Sequence, residues 1–310
     1  MKNIISVDIY KNKVYNKTKG KGMKKIIILG CENSHAKNFL NAIKEDKKYD
    51  DIEVVGVFSE DKPAMQALSD EFGVASLSSY SDGVGKVDGV IVTARHGDNH
   101  YKYVKPYLKS GIPAFIDKPI TVSETDALSL MRECKKYGVR VTGGSSLIHV
   151  PEVIELGRKV KENEGGATLG GIVRAPINLH NEYGGFYFYS QHLVEIVMTI
   201  FGRYPEKVKA IANGKCITVV FCYDNYNVTG LYTDGCYVYS AERFSESGND
   251  GGVFTLDGVF KAEFDKFYSL LKGGEQQTSY DDFIAPVFVI NAIDRSIKSG
   301  KTETVNYEKV

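Results

Sequence analysis

Residues 87–121 read VDGVIVTARHGDNHYKYVKPYLKSGIPAFIDKPIT. A short β-branched run (87–93) passes into a polar turn, a helical stretch (101–110), and a second apolar run (114–116). Strand, helix, strand at this spacing is a βαβ unit, because parallel neighbours need a crossover of about a dozen residues. The pattern extends in both directions. Upstream, KIIIL (25–29) and EVVGVF (53–58) read as buried parallel strands, each followed by a helix (37–48 and 64–72). Downstream, a helix over 122–137 and a strand over 139–142 complete an α/β half with a parallel sheet.

Beyond residue 150 the pattern changes. Alternating, Tyr-rich runs at 170–177, 207–212, 217–223, 227–232, 236–240 and 253–257 are separated by turn residues such as Asp224-Asn225, Thr233-Asp234-Gly235 and 248–252. They predict hairpin-connected strands, with helices at 150–161, 191–201, 261–272 and 284–299. The expected fold is an α/β Rossmann-type parallel-sheet domain (23–120). An α+β domain (121–310) with a large, mostly antiparallel open sheet follows, and its C-terminal helix can pack back on the first domain.

Composition narrows the function. The 310 residues are 43% apolar and 25% charged, close to the globular average, with 39 basic and 39 acidic side chains. A zero formal charge lacks the basic excess of a nucleic-acid-binding chain, and no apolar run approaches the ~20 residues of a membrane span. Five cysteines without a CxxC pair describe neither a disulfide framework nor a structural zinc site. Residues 1–25 carry eight lysines, one aspartate and no arginine. They lack a signal-peptide apolar core, so 1–22 reads as an extension outside the core, or as a surface hairpin (4–10 and 14–15). The chain reads as cytoplasmic.

A dinucleotide loop wants G-x-G-x-x-G after the first strand. Here Gly30-Cys31-Glu32-Asn33-Ser34-His35 keeps only the first glycine, and Glu32 places a carboxylate where backbone should approach a diphosphate. Asn33 and Ser34 can cap the next helix and offer donors to an anion. A polar helix cap with no ligand would look the same. After the second strand, Ser59 holds the position of the ribose-binding acid. No arginine stands nearby to take a 2′-phosphate, which favours NAD over NADP.

The 87–121 stretch resembles the Gfo/Idh/MocA oxidoreductases, which include glucose–fructose oxidoreductase and inositol dehydrogenase. His100 matches the family's helix-opening His, and Asp117-Lys118-Pro119 its Glu-Lys-Pro. The resemblance continues through TVSETDALSLMRECKKYGVRVTGG, His149-Val150-Pro151 and the tail SYDDFIAPVFVINAIDRSIKSGKTETV, covering 24–305. It implies Lys118 and His192 as catalytic residues, with Phe188 replacing the aspartate four residues before the histidine. His180, Tyr187 or Tyr189 would then be the substitute partner for His192, or contact substrate. The resemblance also implies Gly30, Glu32, Asn33, Ser34, His35, Ser59, Thr93, Ala94, Arg95, His100 and Asp117 along the cofactor groove.

The implied activity is NAD(P)-dependent hydride transfer at a hydroxyl-bearing carbon of a sugar or polyol. Dimer or tetramer formation would run through the open sheet. The altered loop and Phe188 leave a second function, a ligand-binding or regulatory family member without turnover. The run at 183–189 can be a sugar platform or ordinary core packing. Six histidines lack HxH or HExxH spacing, and no nearby carboxylate completes a metal set in sequence. Gly143-Gly144-Ser145-Ser146 is not a G-x-S-x-G nucleophile elbow.

Overall fold

The computed structural model describes residues 22–310, so the readings of 1–21 lie outside the described residues. The first sheet is built from β1 (Lys24–Leu29), β2 (Ile52–Phe58), β3 (Gly89–Val92), β4 (Ala114–Asp117) and β5 (Val141–Gly144) in the order β2-β1-β3-β4-β5. Every pairing is parallel. A single bridge, Val57 to Ser76, extends it beyond β2. Ile26, Ile27, Ile28 and Leu29 are wholly buried, as a strand covered on both faces requires.

The helices start and stop where the sequence says they should. Asn33 caps α1 (Ser34–Glu45) and Asp61 caps α2 (Lys62–Phe72), which ends on left-handed Gly73. After α3 (Asp98–Leu108), Ser123 caps α4 (Glu124–Tyr137), which ends on left-handed Gly138. Because α4 and β5 complete the parallel sheet, that unit runs on past residue 120 to Gly144.

After α5 (Pro151–Glu162) comes a seven-stranded sheet: β6 (Thr168–Ile177), β7 (Lys207–Asn213), β8 (Cys216–Cys222), β9 (Asn227–Asp234), β10 (Ser240–Ser245), β11 (Gly248–Val253) and β12 (Glu303–Thr304). The order is β11-β10-β6-β9-β8-β7-β12, and only β6–β9 is parallel. The last hairpin corrects the sequence reading. Residues 236–240 and 253–257 are not the strands, and 248–252 is not the turn. The turn is Glu246-Ser247, and Gly248–Val253 is an edge strand. Gly251 is there because backbone approaches closely: a Cβ on it would lie 2.0 Å from the Ala241 carbonyl oxygen.

One face of this sheet is covered by α6 (Tyr187–Phe201) and α8 (Tyr280–Ser299). Residues 187–201 are predominantly apolar and almost wholly buried, as a central helix requires. α8 reaches back to the first domain, where Arg295 pairs with Glu124 and Asn291 donates to the Val122 carbonyl. A second helix does so more intimately. Phe264, Phe267 and Leu271 of α7 (Val259–Leu271) share an apolar cluster with Phe39, Ile91 and Phe115 of the first domain. That packing brings a residue from the far end of the chain beneath the first loop.

Candidate active site

The parallel strands end in the loops that form a cavity of about 330 Å³, closed on its other side by α6 and the segment before α7. Lys118 and His192 both line it. Lys118 leaves the end of β4 and is almost fully buried, its Nζ 4.6 Å from the Phe188 ring centre and 5.1 Å from that of Tyr189. Phe188, where the resemblance leads one to expect a carboxylate, thus offers a π face to the ammonium. Burial lowers the Lys118 pKa, partly offset by Asp117 and Glu263.

His192, on the second turn of α6, has found a different partner. Its Nδ1 lies 2.7 Å from Ser145 Oγ, which also accepts a bond from the Leu147 amide. Burial first, then Lys118, hold the imidazole well below its ordinary value, so the ring is neutral. Ser145 is placed in turn by Glu195, whose Oε2 accepts from the Ser145 amide at 2.6 Å and from Gln191 Nε2 at 2.8 Å. Burial raises Glu195 to about 7. Ser145 and Glu195 escaped the sequence reading. In sequence, Ser145 stands out only within a segment that fails as a hydrolase elbow, and Glu195 stands in no recognisable motif.

The glycine loop packs tightly against the segment that follows β3. Gly30 has φ +76°, and a Cβ there would sit 2.3 Å from the Ala94 backbone. Thr93 Oγ1 donates to the Gly30 carbonyl at 3.0 Å, and Ala94 accepts from His100 Nε2 at 2.7 Å. His100 is fully buried beneath the loops, so it braces them and does not line the cavity. Asn33, Ser34, His35 and Arg95 do line it. Asn33 Nδ2 donates to Asp117 Oδ2 at 3.0 Å, tying the first loop to the end of β4. Arg95 closes the mouth by donating to the Tyr183 hydroxyl at 3.0 Å.

Of the predicted substrate contacts, Tyr189 lines the cavity. Tyr187 turns away, bonding Asn291 and Asp294 on α8, and His180 is exposed on a separate surface. Neither is the partner of His192. Tyr237 and Tyr239, which no motif singled out, complete the aromatic wall. A roomier cleft of about 560 Å³ between β5 and α7 holds His149 but neither Lys118 nor His192.

Glu32 fills the position in the groove on which nearby donors converge. Its carboxylate accepts from Ser59 Oγ at 2.7 Å and from the Arg95 amide at 3.0 Å. Donors from the ends of β2 and β3 thus converge on one anion, which here belongs to the protein. The donor set fits a ribose or diphosphate oxygen, with Glu32 as the group that must give way. Gly30, Asn33, Ser34, Ser59 and Arg95 would hold the dinucleotide.

The sequence reading found no carboxylate to join the histidines. The fold supplies two: His35 Nδ1 lies 3.1 Å from Asp117 Oδ1 and 3.9 Å from Glu263 Oε2.

Residues 24–145 match the family described as "Oxidoreductase family, NAD-binding Rossmann fold", the Gfo/Idh/MocA group. No curated protein matches the chain by sequence. Solved structures that share its fold include three dehydrogenases. A myo-inositol dehydrogenase from Corynebacterium glutamicum is 17% identical with a TM-score of 0.77, covering 92% of this chain and 99% of its own. An apo scyllo-inositol dehydrogenase from Lactobacillus casei is 13% identical with a TM-score of 0.78, covering 92% and 98%. The WlbA dehydrogenase from Chromobacterium violaceum, in complex with NADH and UDP-GlcNAcA, is 16% identical with a TM-score of 0.75, covering 93% and 98%. At these identities the likeness is one of fold, across both domains; the family match is carried by residues 24–145, with their Asp117-Lys118-Pro119 strand end.

Proposed function

We propose that the protein is an NAD(P)-dependent oxidoreductase acting at a hydroxyl-bearing carbon of a sugar or polyol, with NAD favoured over NADP. One observation carries the reading: a buried lysine and a neutral histidine, from different domains, open on the same aromatic-walled cavity. The bound nicotinamide would supply a hydride acceptor or donor at C4. The chain's residues handle the oxygen. With Nδ1–H donated to Ser145 Oγ, His192 keeps its lone pair on Nε2 and can take the hydroxyl proton. The Lys118 ammonium, held by the faces of Phe188 and Tyr189, stabilises charge developing on that oxygen. Tyr189, Tyr237 and Tyr239 offer flat faces and hydroxyls that suit a sugar ring.

The closed position of Glu32 favours a second reading, a ligand-binding member without turnover. Calorimetric titration with NAD(H) and NADP(H), for wild type and Glu32→Gly, separates the two. The oxidoreductase reading expects saturable binding with one cofactor preferred, then turnover with a polyol or sugar that Lys118→Ala abolishes while circular dichroism is unchanged. Absence of binding by all four cofactors to both proteins would overturn it.

A further inference from the structure

Beneath the first loop lies a group of side chains that the proposed hydride transfer does not use. Glu263, on the face of α7 that packs against the first domain, is 1% exposed, and neither carboxylate oxygen has a hydrogen-bond partner. Its contact within ion-pair distance, among the described residues, is His35 Nδ1 at 3.9 Å. His35 Nδ1 is itself buried without a hydrogen bond of acceptable geometry, although Asp117 Oδ1 lies 3.1 Å away. Asp117 is 0% exposed and firmly oriented, accepting from the Lys118 amide at 2.7 Å and from Asn33. One donor atom from each of His35, Asp117 and Glu263 falls within 4.8 Å of the other two.

Two buried carboxylates this close cannot both stay charged without a counter-charge. Lys118 does not provide it directly. Its ammonium lies over Phe188 and Tyr189 on the cavity side, and no lysine or arginine nitrogen among the described residues comes within 4.0 Å of Glu263. A proton on Glu263 would neutralise the charge but leave a buried hydroxyl and carbonyl without partners, which is costly. A divalent cation answers every observation together. It takes one oxygen from each carboxylate and the orphaned Nδ1 of His35.

We infer that His35, Asp117 and Glu263 form a binding site for a divalent first-row transition ion, of which Zn²⁺ and Mn²⁺ suit one imidazole and two carboxylates. Ligand bonds of about 2.0–2.2 Å put adjacent donors roughly 3–3.5 Å apart. The His35–Asp117 pair already has that spacing, and Glu263, 3.9 Å from His35 and within 4.8 Å of Asp117, has to close by up to about 2 Å through side-chain rotation. Three protein ligands leave positions open, and His35 also lines the cavity, so the ion would border the substrate space. The site joins β1–α1, β4 and α7, and therefore both domains. It stands independently of whether the protein turns over a polyol.

The test uses the full chain stripped with chelator and titrated with Zn²⁺, Mn²⁺ and, as a spectroscopic probe, Co²⁺. The expected result is one ion per chain and a rise in Tm with each. Glu263→Gln, which keeps shape and removes charge, should weaken binding at least tenfold and abolish the Tm rise. The Co²⁺ spectrum should show no thiolate charge-transfer band, which excludes the exposed Cys216 and its neighbours as ligands. Three results would overturn the site: no saturable uptake by the stripped wild type, uptake unchanged in Glu263→Gln, or a thiolate band. Should Glu263→Gln fail to fold, the wild-type titration and the Co²⁺ spectrum still decide. A Glu263→Gln chain that is more stable than wild type, in a protein that takes up no ion, identifies a buried protonated carboxyl instead.

Discussion

Under the proposed function, Glu32 is the residue on which cofactor affinity would turn. A dinucleotide must displace its two hydrogen bonds and then tolerate its charge beside a diphosphate. Hydrogen bonds to charged acceptors are worth about 1.5–3 kcal/mol each, and 1.4 kcal/mol is tenfold in affinity. Glu32→Gly should therefore bind NAD(H) at least tenfold more tightly by calorimetry, with Glu32→Gln between it and wild type. Glu195 makes a prediction about pH. Its carboxyl is raised by burial from 4.5 to about 7, so the folded state holds a proton that the unfolded chain releases. The stabilisation is complete below pH 4.5 and is lost as pH rises to 7, amounting to roughly 3 kcal/mol at full size. Glu195→Gln can place its amide oxygen where Oε2 now accepts both bonds. Denaturant melts of Glu195→Gln between pH 5 and 8 should lose that slope and be the more stable at pH 8. A slope equal to that of wild type would show that Glu195 is already ionised throughout.

At the scale of elements, the junction of β1 and α1 is the tightest joint in the first domain. Gly30 holds a left-handed turn against the end of β3, with no space for a methyl group. Gly30→Ala combines backbone strain of about 1–3 kcal/mol with displacement of Ala94. It should lower Tm by many degrees and weaken dinucleotide binding in the folded fraction; a near-wild-type melt would show that the strand end can shift freely. The same element explains which motifs could be read. Apolar strands and caps such as Asn33, Asp61 and Ser123 act within a few residues, so the helices of the first half began close to where they were expected. The β10–β11 hairpin differs from the sequence reading because its glycine run lies in an edge strand, where Gly251 sits against the Ala241 carbonyl, a tertiary demand that in sequence is identical to a turn.

For the whole molecule, the seven-stranded sheet has one covered face and one partly open. Ile172 is 43% exposed on the open side, its antiparallel partner is Glu242, and its parallel partner is Thr229. The resemblance implies that this face joins copies of the chain. Ile172→Asp should then reduce the mass measured by light scattering toward that of one chain, and a wild-type protein already monomeric would refute the assignment. No helix among the described residues is long and apolar enough to cross a membrane.

The sequence by itself determined the two-part architecture, the strand-end position of Lys118 and the loop position of Glu32. Each follows from periodicity, local capping or a short motif, whose physics is contained within a turn or a strand. The tertiary structure alone decided that Ser145 is the hydrogen-bond partner of His192, and that Tyr187 and His180 lie away from the cavity. It alone brought Glu263 of α7 to His35, 228 positions earlier in the chain, because burying Phe264, Phe267 and Leu271 against the first domain leaves that carboxylate no other place to lie.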